Sequence, residues 1–123
     1  MLITIDKRGS INLPMAVRKE LGLKQGSNLT NKFLDDLETF RRRAALRKKI
    51  AKTLKFLETN PLHPGLHLER IVNDPSAWSV RVNRSYRIAV DPTSYLDGGN
   101  PDWSADVILL RILSHDDLYR HPR

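Results

Sequence analysis

Residues 78–90 read WSVRVNRSYRIAV. Trp78, Val80 and Val82 alternate with Ser79 and Arg81, and Tyr86, Ile88 and Val90 alternate with Arg87 and Ala89. A side-chain period of two belongs to a strand with one apolar and one polar face. Between the two runs, Asn83, Arg84 and Ser85 form a turn signal, because Asn and Ser side chains bond their own backbone. The register follows from the pattern. A three-residue loop, 83–85, sets Val82 against Tyr86, Val80 against Ile88 and Trp78 against Val90, and gathers the apolar side chains on one face. A loop of two or four residues sets apolar side chains against polar ones. The favoured register also places Arg81 directly opposite Arg87 on the polar face. Like charges so placed destabilise an antiparallel pair. Three arrangements relieve the repulsion: an anion held between the guanidinium groups, carboxylates from elsewhere in the fold, or side chains splayed apart in solvent.

Outward from this hairpin, the segment LHLERIV (66–72) alternates as a preceding strand, after a break, TNPLHPG, with two prolines and a glycine. On the other side, DPTSYLDGGNPDWSAD is a polar loop, and VILLRILSH (107–115) is apolar on both faces, as in a central strand covered from both sides. Arg111 is its exception, on the same face as His115. The last residues, HDDLYRHPR, read as a tail. Upstream, the period changes to that of helices. Thr30 or Asn31 can cap a helix with Phe33, Leu34, Leu37 and Phe40 as its apolar stripe. A second helix spans about 43–58, with Leu46, Ile50, Leu54 and Leu57 as its stripe. Helices followed by strands is the order of an α+β domain, with a two-helix hairpin packed on one face of a small antiparallel sheet. The other face is then open and carries Arg81 and Arg87.

Residues 1–29 differ. MLITID alternates as a short strand, KRGS turns with Gly9 free to take positive φ, and INLP is a second short strand. PMAVRKELG follows as a short helix, with Pro14 in its first turn, Leu13, Val17 and Leu21 on one side and Gly22 at its end. The expected organisation is an N-terminal β-hairpin plus short helix over 1–29 and a main domain over 30–123.

The chain has 123 residues, room for one ordinary domain. Its formal charge is +7 and its pI about 10.1, which favours a polyanionic partner, nucleic acid first. There is no cysteine, so disulfide and thiol chemistry do not arise. No apolar run approaches the roughly 18 residues of a membrane span, and MLITIDKRGS has no signal-peptide core. A cytoplasmic protein with no membrane partner is expected. The basic residues concentrate in the second helix. Arg41, Arg42, Arg43, Arg47, Lys48, Lys49, Lys52 and Lys55 follow one another with no acid between Glu38 and Glu58. Such a block repels itself, which favours a surface for a phosphate backbone over a merely solvated face.

In combination and order, FLDDLETF with its basic helices, LETNPLHPGLHLERI, WSVRVNRSYRIAV and the strand ending LSHDDLYR resemble the RelE/ParE superfamily of bacterial toxins from toxin–antitoxin systems. The resemblance covers residues 30–123. It implies two helices against a small antiparallel sheet and a cognate antitoxin as partner. It also implies one of two activities: ribosome-dependent cleavage of mRNA in the RelE branch, or action on DNA gyrase in the ParE branch. ITIDKRGSINLPMAVRKELGLKQGSNL looks like the first half of an AbrB/MazE swapped-hairpin domain, a family of intertwined DNA-binding dimers that often serve as antitoxins. The second hairpin of that domain is missing here. Contact with DNA through the toxin–antitoxin complex is the corresponding expectation, with Lys7, Arg8 and Arg18 as phosphate contacts or solvated surface.

Cleavage of RNA needs the 2′-hydroxyl deprotonated, the phosphoryl charge stabilised and the 5′-oxygen protonated, with no metal or other cofactor required. Guanidinium groups suit the second task, since they stay charged and grip phosphate bidentately. Arg87 matches the arginine that the RelE branch carries after the hairpin turn, and Arg81 a basic position on the preceding strand. His115 and Tyr119 stand where that branch carries C-terminal catalytic side chains. His115 suits general acid–base work near neutral pH. Tyr119 can stack on a base or donate a proton, or pack as an aromatic on the sheet. His67 is a further candidate, and His63 beside prolines reads as a loop residue. RNA contacts are expected from Arg43, Arg47, Lys48, Lys52, Arg84 and Arg120.

One departure stands out. Where many relatives carry a basic residue after the histidine, this chain has Asp116 and Asp117. They would repel phosphate, and Arg120 and Arg123 offset them in part. One histidine beside two acids is a poor metal-ligand set. The leading expectation is a RelE-like, ribosome-dependent mRNA endonuclease. A ParE-like gyrase inhibitor without nuclease activity and an inactive antitoxin–toxin fusion are the alternatives.

Overall fold

The computed structural model describes residues 29–121. The expected hairpin, helix and phosphate contacts of residues 1–28, and Arg123, lie outside them. Two helices come first, α1 (Asn31–Thr39) and α2 (Ala44–Thr59), then a short 3₁₀ turn at Pro64–Leu66. Strands β1 (Glu69–Arg70), β2 (Trp78–Arg81), β3 (Tyr86–Asp91) and β4 (Ile108–Ser114) follow, and helix α3 (His115–Arg120) ends the order. The strands form one sheet in the order β1-β2-β3-β4, every pair antiparallel. The domain is α+β, as its sequence predicts.

The hairpin of residues 78–90 has the predicted register. Trp78 lies opposite Val90, Val80 opposite Ile88 and Arg81 opposite Arg87. The turn closes as its chemistry demands. Asn83 Oδ1 accepts from the backbone N–H groups of Ser85 at 2.9 Å and Tyr86 at 2.8 Å, and Val82 N–H donates to the Tyr86 carbonyl at 3.0 Å. Val80, Ile88 and Val90 are fully buried, in one core with Phe33, Leu37 and Phe40 around α1 and Leu46, Ile50, Leu54 and Leu57 of α2. The stripe spacing of each helix is thereby met by the apolar face of the sheet.

Thr30 takes the cap of α1. Its Oγ1 accepts from Phe33 N–H at 3.0 Å and donates to the Leu110 carbonyl at 2.7 Å, while its own N–H donates to the Leu109 carbonyl at 3.0 Å. One residue starts the helix and pins it to the outer edge of β4. Farther along α1, the Asp36 carboxylate accepts from Arg111 Nε at 2.7 Å and Nη2 at 2.9 Å and from Ile112 N–H at 2.9 Å. This forked ion pair is mostly buried, and it satisfies a backbone donor that an edge strand would leave unpaired. Arg111, the polar exception of its strand, is thus the seam between helix and sheet.

Four sequence expectations are corrected. β4 is the terminal strand of the described sheet; it reads as central because both of its faces are covered, Leu109 and Ile112 lying in the main core and Leu110 in a second one, while Thr30, Leu29 and Asp36 cover its outer edge. A bulge at Leu110 shifts the alternation by one, so Leu109 and Ile112, three residues apart, both lie in the main core. Ala89 pairs with Arg111 but Val90 with Leu109, so Leu110 has no opposite number. The strand predicted over 66–72 is extended only at Glu69–Arg70. Residues 115–120 form a helix instead of a tail, and this helix covers part of the face expected to be open. Leu118 of α3 packs there with Ile71, Ala77, Ala89 and Leu110 in a second, smaller core.

Candidate active site

Arg87 projects from β3 onto the face that α3 partly covers. Its side chain keeps 16% exposure, enough for a ligand to reach it and little enough to strengthen its field. Nη1 donates to Ser79 Oγ at 3.4 Å and lies 3.6 Å from Glu69 Oε1. The Tyr119 hydroxyl, arriving from α3, donates its proton to the same Glu69 oxygen. Ser79 Oγ is 3.3 Å from that hydroxyl. A phenol has one proton, and Glu69 takes it, so Ser79 donates to Tyr119 in turn. The result is a directed chain from Arg87 through Ser79 and Tyr119 to Glu69, closed by the Glu69–Arg87 ion pair. Burial, and next the bond to Glu69, push the Tyr119 pKa above its ordinary value. The phenol is therefore a proton donor throughout the neutral range.

His115 stands at the rim. Its ring is tilted 34° to that of Tyr119, centroids 4.6 Å apart, and its side chain is half exposed. Its backbone N–H donates to the Ser85 carbonyl at 3.1 Å, which fixes the start of α3 to the hairpin turn. Asn73 Nδ2 donates to the Tyr119 carbonyl at 3.0 Å near the other end. The acids after His115 have a structural purpose. Ser114 caps α3, its Oγ accepting from Asp117 N–H at 3.3 Å, and Asp116 and Asp117 occupy the first turn, where negative charge complements the helix dipole. Asp116 Oδ1 also lies 3.3 Å from His115 Nδ1.

Arg87, His115 and Tyr119 are thus brought together, while Arg81 goes elsewhere. Though it sits opposite Arg87, its Nε donates to the Asn83 carbonyl at 3.2 Å and its Nη1 lies 3.5 Å from His67 Nε2. The repulsion between the two arginines is therefore relieved in two of the anticipated ways at once: a carboxylate takes Arg87, and Arg81 turns aside. His67, its partner, has φ 43° and ψ 50°, the left-handed region that costs a non-glycine residue roughly 1 kcal/mol or more.

The basic surface is largely exposed. Lys48, Lys52, Arg84 and Arg120 lie open to solvent. Arg43 is exposed too, with its Nη1 donating to the Tyr86 hydroxyl at 3.1 Å and its guanidinium 5.3 Å from the Tyr86 ring centre. Arg47 is the correction: only 7% exposed, it belongs to the buried side of α2 beside Leu46 and Ile50, because i, i+1 and i+4 positions there all turn toward the sheet.

Two members of the cluster, Glu69 and Ser79, escape the sequence reading. Their signal was the register: carrying the hairpin one strand further sets Glu69 against Ser79, as observed, and both next to Arg87. Among the described residues no group of three or more His, Cys, Asp or Glu side chains is arranged to hold a metal ion, and no helix is long and apolar enough to cross a membrane.

No family model matches this chain, and no curated protein does. Solved structures do. YafQ from E. coli strain BL21(DE3) superposes with a TM-score of 0.56 over 74% of this chain and 93% of its own, at 13% sequence identity. A YoeB/ParE toxin from Agrobacterium tumefaciens superposes with a TM-score of 0.54 over 72% of this chain and 95% of its own, at 18% identity. The likeness is one of fold.

Proposed function

We propose that the protein is the toxin of a type II toxin–antitoxin system, a RelE-like, metal-independent endoribonuclease that cuts mRNA on the ribosome and is held in check by a cognate antitoxin. The sequence resemblance and the fold it shares with a YoeB/ParE toxin support the class. The observation that carries the chemistry is the cluster of Arg87, Ser79, Tyr119 and Glu69 with His115 at its rim.

In this reading the scissile phosphate takes the place of the Glu69 carboxylate at Arg87, whose guanidinium holds the non-bridging oxygens and stabilises their charge as it grows. Glu69, released but still anchored by Tyr119, accepts the proton of the 2′-hydroxyl. The 2′-oxygen attacks phosphorus, and the bond to the 5′-oxygen breaks. Protonated His115 gives its proton to that leaving oxygen. The products are a 2′,3′-cyclic phosphate and a 5′-hydroxyl end. Lys48, Lys52, Arg43, Arg84 and Arg120 supply the salt-dependent grip on the phosphate backbone. The test is Arg87→Ala in a purified translation reaction. Loss of cleavage by about 100-fold or more, as for removal of a transition-state donor, with an unchanged melting curve supports the role. Undiminished cleavage contradicts it.

One observation favours a second reading. Glu69 already fills the anion position at Arg87, and Asp116 adds negative charge beside His115. A ParE-like inhibitor of DNA gyrase needs no free anion site. Gyrase supercoiling assays with the purified protein separate the two.

A further inference from the structure

Two hollows meet at His63 on the flank of the hairpin, between α2, the turn around Pro64, β2 and the loop after β3. The first has a volume of about 780 Å³ and is lined by Trp78, Trp103, Leu62, Leu68, Leu96 and His67, among others. That is within the roughly 300–1,000 Å³ of small-molecule sites. The second, of about 440 Å³, is lined by Lys49, Lys52, Arg81 and Phe56 with no carboxylate among its lining residues. One hollow is apolar and aromatic, the other cationic.

Two details mark the pair as more than a surface irregularity. Leu62 and Leu96 stand on the rim with 76% and 55% exposure, unusual for side chains that have an apolar hollow beside them. At the junction His63 is held firmly. Its ring stacks on Phe56 at 4.5 Å, and its Nδ1 accepts from Gly65 N–H at 2.9 Å. A Cβ on residue 65 would meet that ring at 3.0 Å, so a larger residue there would push the ring aside by a few tenths of an ångström.

The occupant must be flat and apolar in one part and anionic in the next. We propose that the paired hollows bind one nucleotide of a single-stranded nucleic acid. The base enters against Trp78 and Trp103, and the phosphate lies among Lys49, Lys52 and Arg81. This rests on the reading of Arg87 as a phosphate site. Arg81 lies across the hairpin from Arg87 and turns toward His67, so it joins the cleavage centre to the hollows. A strand whose scissile phosphate sits on Arg87 continues past Arg81 into the groove, which makes the groove a reader of a neighbouring base.

Both tryptophans of the chain line the apolar hollow, so their fluorescence reports its occupancy directly. The probe is a 2′-O-methyl hexanucleotide, which cannot be cut because it lacks the attacking hydroxyl, titrated into the full-length protein at low salt. Quenching is expected. Leu62→Glu, at an exposed position, should weaken it about ten-fold by placing a carboxylate in the mouth, the scale of one base stack. Lys52→Glu should weaken it as well. mRNA cleavage without quenching overturns the groove and leaves the endonuclease standing. Quenching without cleavage, in the presence or absence of ribosomes, leaves the groove and removes the endonuclease. Quenching by an amphipathic peptide of alternating Leu and Glu, and none by the oligonucleotide, overturns the proposal in favour of a protein-docking surface.

Discussion

Arg87 and the groups around it make the sharpest demands on single residues. Guanidinium geometry matters as well as charge, so Arg87→Lys should recover only a small part of the cleavage lost in Arg87→Ala, in the same translation reaction. Glu69→Gln separates two roles. It frees Arg87 of a competing anion but removes the base, so phosphate binding should tighten while turnover falls, seen as a lower KM with a lower kcat. Tyr119 gives a pH signature. Its folded pKa is raised above the ordinary 10.0, so the folded state holds the phenolic proton more tightly than the unfolded chain. That stabilisation is whole below pH 10 and is lost as pH rises through the folded pKa. Urea unfolding from pH 9 upward should therefore show a steeper fall for the wild type than for Tyr119→Phe, and parallel curves would contradict the burial and the bond to Glu69 that together hold the proton. The opposition of Arg81 and Arg87 was legible in the alternation of residues 78–90. The divergence of their side chains was not, because it depends also on His67, which only the fold brings beside Arg81.

At the level of elements, two joints hold the site in place. The first is the seam between α1 and β4. Removing the Asp36 carboxylate strands Arg111 and the Ile112 N–H in a mostly buried place. Asp36→Ala should then cost about 3 kcal/mol in urea unfolding, whereas a cost near zero would mean water replaces the carboxylate. The second joint is α3. Its six residues are too few for a helix to stand alone, so it depends on the Ser114 cap and on Leu118 in the small core. Ser114→Ala should cost about 1 kcal/mol and speed hydrogen exchange at Leu118 and Tyr119 more than in β3. The two long helices were legible because each repeats an apolar residue every three or four positions over several turns. α3 was not. A single turn and a half shows no period, and its opening acids read as a misplaced charge until the cap gives them a dipole to complement. β1 was over-read for a related reason. Alternation marks which residues alternate in burial, and only Glu69 and Arg70 of that run find a ladder partner.

Across the described residues, exposed basic side chains gather on α2, at the hairpin turn and at Arg120, and the chain as a whole carries a formal charge of +7. Nucleic-acid binding should weaken steeply with salt, and charge reversal at Lys48 and Lys52 together should reduce the slope of log K against log salt by about 2. The fold was legible at this scale because a helix pair followed by three alternating strands leaves few ways to bury every stripe. Shared fold with YafQ and with a YoeB/ParE toxin at 13% and 18% identity carries the architecture, and the chemistry rests on the cluster at Arg87. The most direct test of that chemistry is primer extension on a defined mRNA incubated with the purified protein, in a reconstituted translation reaction and in parallel without ribosomes. New cuts that appear only with ribosomes, and vanish with Arg87→Ala, are the expected result. Intact mRNA in both reactions would contradict the endonuclease reading.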